Sequence, residues 1–172
     1  INVIKRSGLH LLDIINDILD LSKIVAGEME YNPSAFNLAS SLDSCVEMIE
    51  MKFKNKSVVL KSQYDIDRQL TVEFDELRLR QVIINLLNNA MKFTDEGEVN
   101  FSVSHVGMNR LLFTVTDTGR GIAKDMQTAI FKPFFQVDNY MNSPEGTGLG
   151  LSISSRIIEA FGGNIVVISE PD

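Results

Sequence analysis

The chain has 172 residues, 44% of them hydrophobic, and a net charge of −7, which fits one domain with a sizeable core and a small appendage. The acidic balance without a basic cluster argues against nucleic acid as a partner, and no apolar run is long enough to span a membrane, so direct membrane contact is not expected. The lone Cys45 excludes an internal disulfide and suits a reducing compartment, so a cytoplasmic location is expected.

The first predicted element is one long amphipathic helix over residues 2–26, which Gly27 ends. Its apolar stripe recurs every seven residues at Ile4, Leu11, Ile18 and Val25, with Leu12, Ile15 and Leu19 beside it. The stripe predicts that another helix covers it, supplied by this chain or by a second copy. The alternative is a terminal helix that packs on the body of the domain.

Helices and short strands then follow one another to the end of the chain. The pattern predicts a helix over about 39–54, strands near 57–63 and 69–74, a helix over 75–93, strands over about 98–106 and 110–117, a short helix over about 124–130, a helix over about 148–161 and a strand over 164–169. This mixture, with its hairpin-length connections, predicts an α+β fold with a mixed sheet and helices on one face. Residues 133–147 have no apolar period and are long for a connection, which is typical of a lid.

The helix predicted over 75–93 is apolar around most of its circumference and carries one narrow stripe of amides. At about 100° per residue, one face collects Gln81, Asn85, Asn88, Asn89 and Lys92. Amides can offer a carbonyl oxygen to a hard cation and N–H donors to phosphate oxygens. The stripe therefore indicates a polar cavity, and the alternative is the ordinary polar edge of a partly buried helix.

A first glycine cluster, Asp117-Thr118-Gly119-Arg120-Gly121-Ile122, follows the strand predicted over about 110–117. An ionised aspartate only accepts hydrogen bonds, so Asp117 suits an exocyclic amine such as that of adenine. Glycine lets the backbone approach a flat ring closely. The cluster predicts a base-binding turn, and on its own it also fits a plain turn.

A second glycine cluster, Gly146-Thr147-Gly148-Leu149-Gly150-Leu151, leads into the last predicted helix. Backbone N–H groups at a helix start, with glycine in place of side chains, make an anion site. A dinucleotide fold would need this motif directly after a strand, and a P-loop would need Gly-Lys-Ser/Thr, so neither fits. The alternative to a phosphate-binding loop is a flexible hinge before the helix.

Together these motifs resemble the N, G1, F and G2 boxes of hybrid-type sensor histidine kinases. The runs that carry the resemblance, in the same order and spacing, are Asn85–Thr94, Asp117–Ile122, Phe131–Phe135 and Gly146–Leu151, and Ile15–Ile24 resembles the second helix of their dimerisation hairpin. The resemblance implies a two-layer α/β sandwich of the Bergerat type, preceded by one long amphipathic helix. Residues 28–172 are expected to form the catalytic ATP-binding domain without its last strand. Residues 1–27 are expected to form the C-terminal helix of an incomplete dimerisation and histidine phosphotransfer hairpin.

The resemblance also implies roles for individual residues toward two cofactors, ATP and Mg²⁺. Asn85 is expected to hold Mg²⁺, with Asn89 and Lys92 on the phosphates. Phe93 is expected to lie against adenine, and Asp117 to bind its amine. The other implied nucleotide-binding residues are Gly119 and Gly121 in the base pocket, Gly146, Gly148, Leu149 and Gly150 around the phosphates, and Ile122, Thr147 and Leu151 beside them.

The implied function is transfer of the γ-phosphoryl group of ATP to a histidine and then to an aspartate of a response-regulator receiver domain. The intact protein is expected to be a homodimer through its hairpin, cytoplasmic or the cytoplasmic part of a membrane-bound receptor. The phosphoacceptor is expected upstream of Ile1, because His10 and His105 lack the family's acidic and proline context; the chain alone is therefore expected not to phosphorylate itself.

Two alternative functions remain open beside the kinase. One is a nucleotide-sensing or dimerisation module without transfer activity, and the other is a hydrolytic ATPase of the same superfamily. Hydrolytic members place a glutamate one turn before the first asparagine of the amide helix, as a base for water. Here that position is Gln81, which cannot act as a base, so the residue disfavours hydrolysis.

Overall fold

The computed structural model describes residues 2–107, 109–136 and 147–171. Its helices are α1 (Asn2–Ala26), α2 (Leu38–Lys52), α3 (Glu76–Phe93) and α4 (Gly150–Ala160), with a short 3-10 helix at Ala129–Phe131. Its strands are β1 (Ser34–Asn37), β2 (Val58–Asp65), β3 (Thr71–Phe74), β4 (Gly97–His105) and β5 (Leu111–Asp117). Each helix and strand predicted up to residue 117 is confirmed, with small shifts at the ends. None of the helices in the described part of the chain combines the length and apolar character that a membrane crossing requires.

The chain forms two compact units. The central unit is Tyr31–Gly121 together with Pro171–Asp172, and the terminal unit is Ile1–Glu30 together with Ile122–Glu170. The central unit holds all the strands with α2 and α3, whereas the terminal unit holds α1, the 3-10 helix and α4.

The central unit is a two-layer sandwich on the mixed sheet β2-β4-β5. β2 runs parallel to β4, and β5 runs antiparallel to it. Along β4, Val99, Phe101 and Val103 are buried, while the residues between them are only half-buried, as expected of a sheet that helices cover on one face. β1 and β3 form a separate antiparallel pair. The predicted α+β sandwich with a mixed sheet is therefore confirmed.

The core of the central unit lies between its two helices and the sheet. α2 contributes Leu42 and Ile49, α3 contributes Leu87 and Met91, and β4 contributes Phe101, all of them fully buried. Burial of each such side chain stabilises the fold by about 1.5–3 kcal/mol. Packing therefore fixes which face of α3 is turned away from the core, and this is the face that carries the amides.

The helix predicted over about 124–130 is wrong in its length, because the structure has turns there and then only the 3-10 helix Ala129–Phe131. Pro133 restricts the residue before it to an extended backbone. Lys132 accordingly has φ −79° and ψ 140°, which ends the helical turn. A helix this short gains too few hydrogen bonds to extend on its own.

The strand predicted over 164–169 is also wrong, since these residues belong to no ladder in the described part of the chain. The apolar alternation indicates an extended chain, whereas a ladder also requires a partner strand. Here Ser169 is held by hydrogen bonds that involve side chains instead. Its Oγ accepts from Ile122 N at 2.9 Å, and its carbonyl oxygen accepts from Gln127 Nε2 at 2.7 Å.

The apolar stripe predicted on α1 is open to solvent, although α1 contacts α4 within the terminal unit. Its exposed side chains are Leu11, Leu12, Ile15, Ile18, Leu19 and Val25, with fractional exposures between 42% and 67%. The side chain of Ile4 lies outside the described residues. The stripe is thus formed as predicted, and its partner helix stays a prediction.

Candidate functional site

Charged side chains cap α3 at both ends. Asp75, buried at 5% exposure, accepts hydrogen bonds from Arg78 N at 3.0 Å and from Asn32 N at 3.1 Å. At the other end, Lys56 Nζ donates to the carbonyl oxygens of Met91 (2.7 Å) and Lys92 (2.9 Å). A carboxylate at a helix start accepts from N–H groups that have no partner within the helix, and an ammonium at its end donates to unpaired carbonyl oxygens. Both charges also interact favourably with the helix dipole. Both ends of the amide helix are therefore held in place.

The amide face of α3 is half-buried, neither fully in the core nor fully in solvent. Its members are Gln81, Asn85, Asn88, Asn89 and Lys92. Two of the amides have their oxygen committed to a cation: Gln81 Oε1 accepts from Arg78 Nη1, and Asn88 Oδ1 accepts from Lys52 Nζ, each at 2.8 Å. The structure therefore keeps the predicted amides on one face, and it assigns Asn88 to a contact with α2.

The predicted base-binding residues of the central unit come together at the ends of β5 and α3. Gly119 N donates to Asp117 Oδ1 at 2.9 Å. A Cβ on Gly119 would lie 2.5 Å from the carbonyl oxygen of Phe93 and 2.7 Å from Asp117 Oδ1. Only glycine fits at this position, because the turn after β5 lies directly against the last residue of α3. Asp117 is exposed, and Gly121, with φ +68°, continues the turn.

The ring of Phe93 contacts two cations. Lys92 Nζ and Arg120 Cζ each lie 4.9 Å from the ring centroid, within the range of a cation–π interaction. Phe93 and Arg120 are both half-buried. Two cations therefore lie over the ring that is predicted to lie against a base.

In the terminal unit, the glycine loop is held by its backbone and by one hydroxyl. Gly148 has φ +70°, and a Cβ there would lie 2.9 Å from the carbonyl carbon of Phe134, whose N–H donates to Gly148 O at 2.9 Å. Thr147 Oγ1 accepts from Leu149 N and donates to Asp17 Oδ2 on α1, each at 3.1 Å. The loop therefore joins α1 to the start of α4.

The start of α4 presents backbone N–H groups beside a residue without a side chain, Gly150. Gly150 and Leu151 lie in its first turn, and the buried Leu149 precedes them. The first N–H groups of any α-helix have no carbonyl partner within the helix, and they carry partial positive charge. This geometry suits an anion. Gly146 and most of the predicted lid, residues 137–146, lie outside the described residues.

Ile122 and the two histidines are also singled out in the sequence. Ile122 lies in the terminal unit, where its N–H donates to Ser169 Oγ. His105 ends β4 in an exposed position, and the side chain of His10 lies outside the described residues. Across residues 2–107, 109–136 and 147–171, no three His, Cys, Asp or Glu side chains cluster as a metal site would require. Mg²⁺ commonly uses one or two protein oxygens with substrate phosphates.

Sequence reasoning missed several contacts of these residues. Arg120 could have been noticed, because it stands between the two glycines of the first cluster. Lys56 and Arg78 carry no signal that separates them from other surface cations. Asp17 accepts a hydrogen bond from Thr147, 130 positions away, and the local sequence pattern does not predict that contact.

The central unit is a two-layer α/β sandwich that carries the amide-bearing helix α3 and a carboxylate directly after β5. The terminal unit carries the glycine loop before α4. The chain belongs to the histidine kinase-, DNA gyrase B- and HSP90-like ATPase family, whose model matches residues 74–172.

Sensor histidine kinases are among the proteins most similar to the chain. It is 37% identical to an uncharacterized sensor-like histidine kinase of Rhizobium meliloti, over 98% of this chain and 32% of the relative. It is 39% identical to the sensor histidine kinase GacS of Pseudomonas protegens, over 99% of this chain and 19% of the relative. The chain thus spans a third or less of the length of these two curated relatives.

Solved structures give the same family. The fold matches full-length ShkA in complex with AMPPNP, with a TM-score of 0.82 and 33% identity over 94% of this chain and 33% of that one. It also matches the histidine kinase ThkA in complex with the response regulator protein TrrA, with a TM-score of 0.70 and 28% identity over 95% of this chain and 44% of that one.

Proposed function

We propose that this chain is the ATP-binding kinase part of a sensor histidine kinase. Residues 28–172 bind ATP, and residues 1–27 form the C-terminal helix of the dimerisation and histidine phosphotransfer hairpin. The γ-phosphoryl group passes to a histidine outside the chain and then to an aspartate of a response-regulator receiver domain. Membership of the ATPase family, the named relatives and the AMPPNP complex of ShkA support this proposal.

The observation that carries the proposal is the contact of Asp117, Gly119 and Phe93. The carboxylate of Asp117 gives one oxygen to Gly119 N, and a carboxylate has lone pairs enough to accept another donor. In this role Asp117 accepts a hydrogen bond from the exocyclic amine of adenine, and Phe93 packs against the adenine ring. Adenine offers an amine where guanine offers a carbonyl oxygen, so the site discriminates ATP from GTP.

The proposed phosphate-binding residues come from the amide helix and from the second glycine cluster. Asn85 offers its oxygen to Mg²⁺, while Asn89 and Lys92 donate to the phosphates. The second glycine cluster supplies backbone N–H groups around the phosphates, from Gly146, Thr147, Gly148, Leu149, Gly150 and Leu151. Gly121 and Ile122 follow Gly119 in the base-binding turn. Since phosphoryl transfer depends mainly on positioning and electrostatics, these residues orient the γ-phosphoryl group and offset its charge.

The proposed partners follow from α1 and from the relatives. The open apolar stripe of α1 forms the homodimer through the hairpin in the intact protein. A response-regulator receiver domain is the acceptor, and the ThkA complex with TrrA supports this choice. The protein works in the cytoplasm, either free or as the cytoplasmic part of a membrane-bound receptor.

Calorimetry with ATP and GTP in the presence of Mg²⁺ tests the base-binding role. Asp117→Asn keeps an oxygen for Gly119 N and replaces the other acceptor by a donor, so ATP binding should weaken by on the order of tenfold to a hundredfold. Asp67→Asn is the matched control, because Asp67 Oδ1 accepts from Gln69 N at 2.8 Å in the same geometry. Equal affinity of the wild type for ATP and GTP, or no binding of either, would contradict the proposal.

Titrations with and without EDTA test the metal role. Asn85→Ala should weaken binding of Mg-ATP more than binding of metal-free ATP, because its proposed partner is the cation. Asn88→Ala, which changes an amide of the same helix that is bonded to Lys52, should not discriminate between the two conditions. A uniform loss in Asn85→Ala would indicate a damaged helix and not a lost ligand.

Incubation with radiolabelled ATP tests the position of the acceptor. The chain alone should stay unlabelled, and a separate polypeptide that carries the other hairpin helix should become labelled in its presence, because transfer needs a positioned acceptor nitrogen. Acid-labile label on His10 or His105 in the chain alone would contradict the upstream acceptor.

A further inference from the structure

Arg78 fixes the orientation of the Gln81 side chain on α3. Arg78 Nη1 donates to Gln81 Oε1 at 2.8 Å. A guanidinium carries only donors, so it is the amide oxygen of Gln81 that faces it, and the amide nitrogen lies on the other side. Arg78 is itself held at its backbone, where its N–H donates to the buried Asp75 at 3.0 Å.

Gln81 lies one helical turn before Asn85 on the amide face. This face has a cation near each end, Arg78 and Lys92, and the one acidic residue of α3 is Glu76 in its first turn. The charged side chains of this face are therefore both cations. A carboxylate introduced at position 81 would meet the guanidinium of Arg78 within hydrogen-bond distance.

We propose that Arg78 is a positioning residue that turns the amide nitrogen of Gln81 toward the nucleotide and that would pair with a carboxylate at position 81, keeping that carboxylate from acting as a base for water. The inference rests on the proposed function, because the nucleotide phosphates and the cation at Asn85 are part of that proposal. It adds a residue that directs the γ-phosphoryl group to the histidine acceptor and away from water. It also predicts that Gln81→Glu alone leaves the carboxylate paired with Arg78 and a poor base.

The hydrogen bond itself is testable without nucleotide. In NMR spectra of the chain, the guanidinium protons of Arg78 should exchange with water more slowly than those of Arg80, whose guanidinium contacts the carbonyl oxygen of Ser41 at 3.4 Å. In Gln81→Leu the protection of Arg78 should fall, and the exchange of Arg80 should stay unchanged. Unchanged protection of Arg78 in that variant would overturn the inference, whatever the result of nucleotide binding.

The role is testable by phosphate release from Mg-ATP. For hydrolysis, the water oxygen forms a bond to the γ-phosphorus, the bond to the β–γ bridging oxygen breaks, ADP leaves with that electron pair, and the carboxylate introduced by Gln81→Glu takes the water proton. The wild type and Gln81→Glu should both release phosphate slowly. Arg78→Met combined with Gln81→Glu should release it about a hundredfold faster, since a free general base contributes on that order.

Two further variants separate positioning from a general effect of charge. Arg78→Lys with Gln81→Glu should return release to the slow rate, because an ammonium also pairs with the carboxylate. Arg80→Met with Gln81→Glu removes the same charge from the same helix and should behave as Gln81→Glu alone. Fast release by Gln81→Glu alone, or equal acceleration by the Arg78 and Arg80 variants, would overturn the inference. Failure of the wild type to bind ATP in calorimetry would instead overturn the proposed function, and the assigned role with it.

Discussion

In the central unit α3 is fixed at both ends by charged side chains, whereas in the terminal unit the start of α4 is fixed by glycine backbone and one hydroxyl. Asp75 and Lys56 hold α3, while Gly148 and Thr147 hold the loop before α4. The first arrangement presents side chains in defined places, and the second presents backbone N–H groups. Changes of side chain should therefore disturb α3, and changes of backbone conformation should disturb the loop.

The largest effect is expected at Gly148. Gly148→Ala places a side chain at φ +70° and 2.9 Å from the backbone of Phe134, so strain and overlap together should lower the free energy of unfolding by about 3 kcal/mol. Gly162→Ala is the matched control, because φ is +73° there with no atom within 4 Å of the added Cβ, and it should cost about 1 kcal/mol. Urea unfolding measures the free energy of unfolding of both variants. Equal losses would show that the contact with Phe134 does not add to the cost at Gly148.

A smaller effect is expected at the start of α3. Asp75→Ala removes the acceptor for both Arg78 N and Asn32 N, which should cost about 2 kcal/mol. Asp75→Asn keeps one oxygen and should cost less. If the two variants are equally stable in urea unfolding, the paired hydrogen bonds do not hold this end of the helix.

A still smaller effect is expected at the other end of α3. Lys56→Met removes the ammonium that caps the last carbonyls, at a cost of about 1 kcal/mol. The exposed Lys54 lies two residues away, and Lys54→Met should leave the free energy of unfolding unchanged. A comparable loss in both variants would assign the effect to net charge and not to the cap.

The smallest effect at neutral pH is expected for Tyr64→Phe, which reports on the central unit alone. Tyr64 packs edge-to-face on Phe101 at a centroid distance of 5.9 Å, and burial raises the pKa of its hydroxyl from 10.0 to about 12. Between these values the unfolded chain loses the proton and the folded chain keeps it, so stability falls as pH rises from about 10 to 12.

Urea unfolding at pH 7 and in this alkaline range measures the contribution of Tyr64. Tyr64→Phe should be as stable as the wild type at pH 7 and should lose this part of the alkaline decline, whereas Tyr31→Phe should keep it. An alkaline decline that is the same in the wild type and in Tyr64→Phe would rule out the buried hydroxyl as its cause.

The sequence pattern predicts most helices and strands, but it does not predict the contacts that orient side chains. The period of apolar residues predicts α3 and its amide face, because burial of Leu87 and Met91 decides which face is left over. It fails at residues 164–169, where an extended chain has no partner strand in the described part of the structure. It also cannot supply the contact of Arg78 with Gln81, since the choice of rotamer depends on neighbours that folding brings together.

The hydrogen bond between Asp17 and Thr147 has a consequence for the order in which the chain folds during synthesis. It joins residues 130 positions apart, and the terminal unit takes its two parts from both sides of the central unit in the sequence. The central unit is almost wholly one continuous stretch, so its contacts are available as soon as residue 121 leaves the ribosome. The terminal unit must wait for α4, and α1, which is made before the central unit, remains without that partner until α4 has been translated.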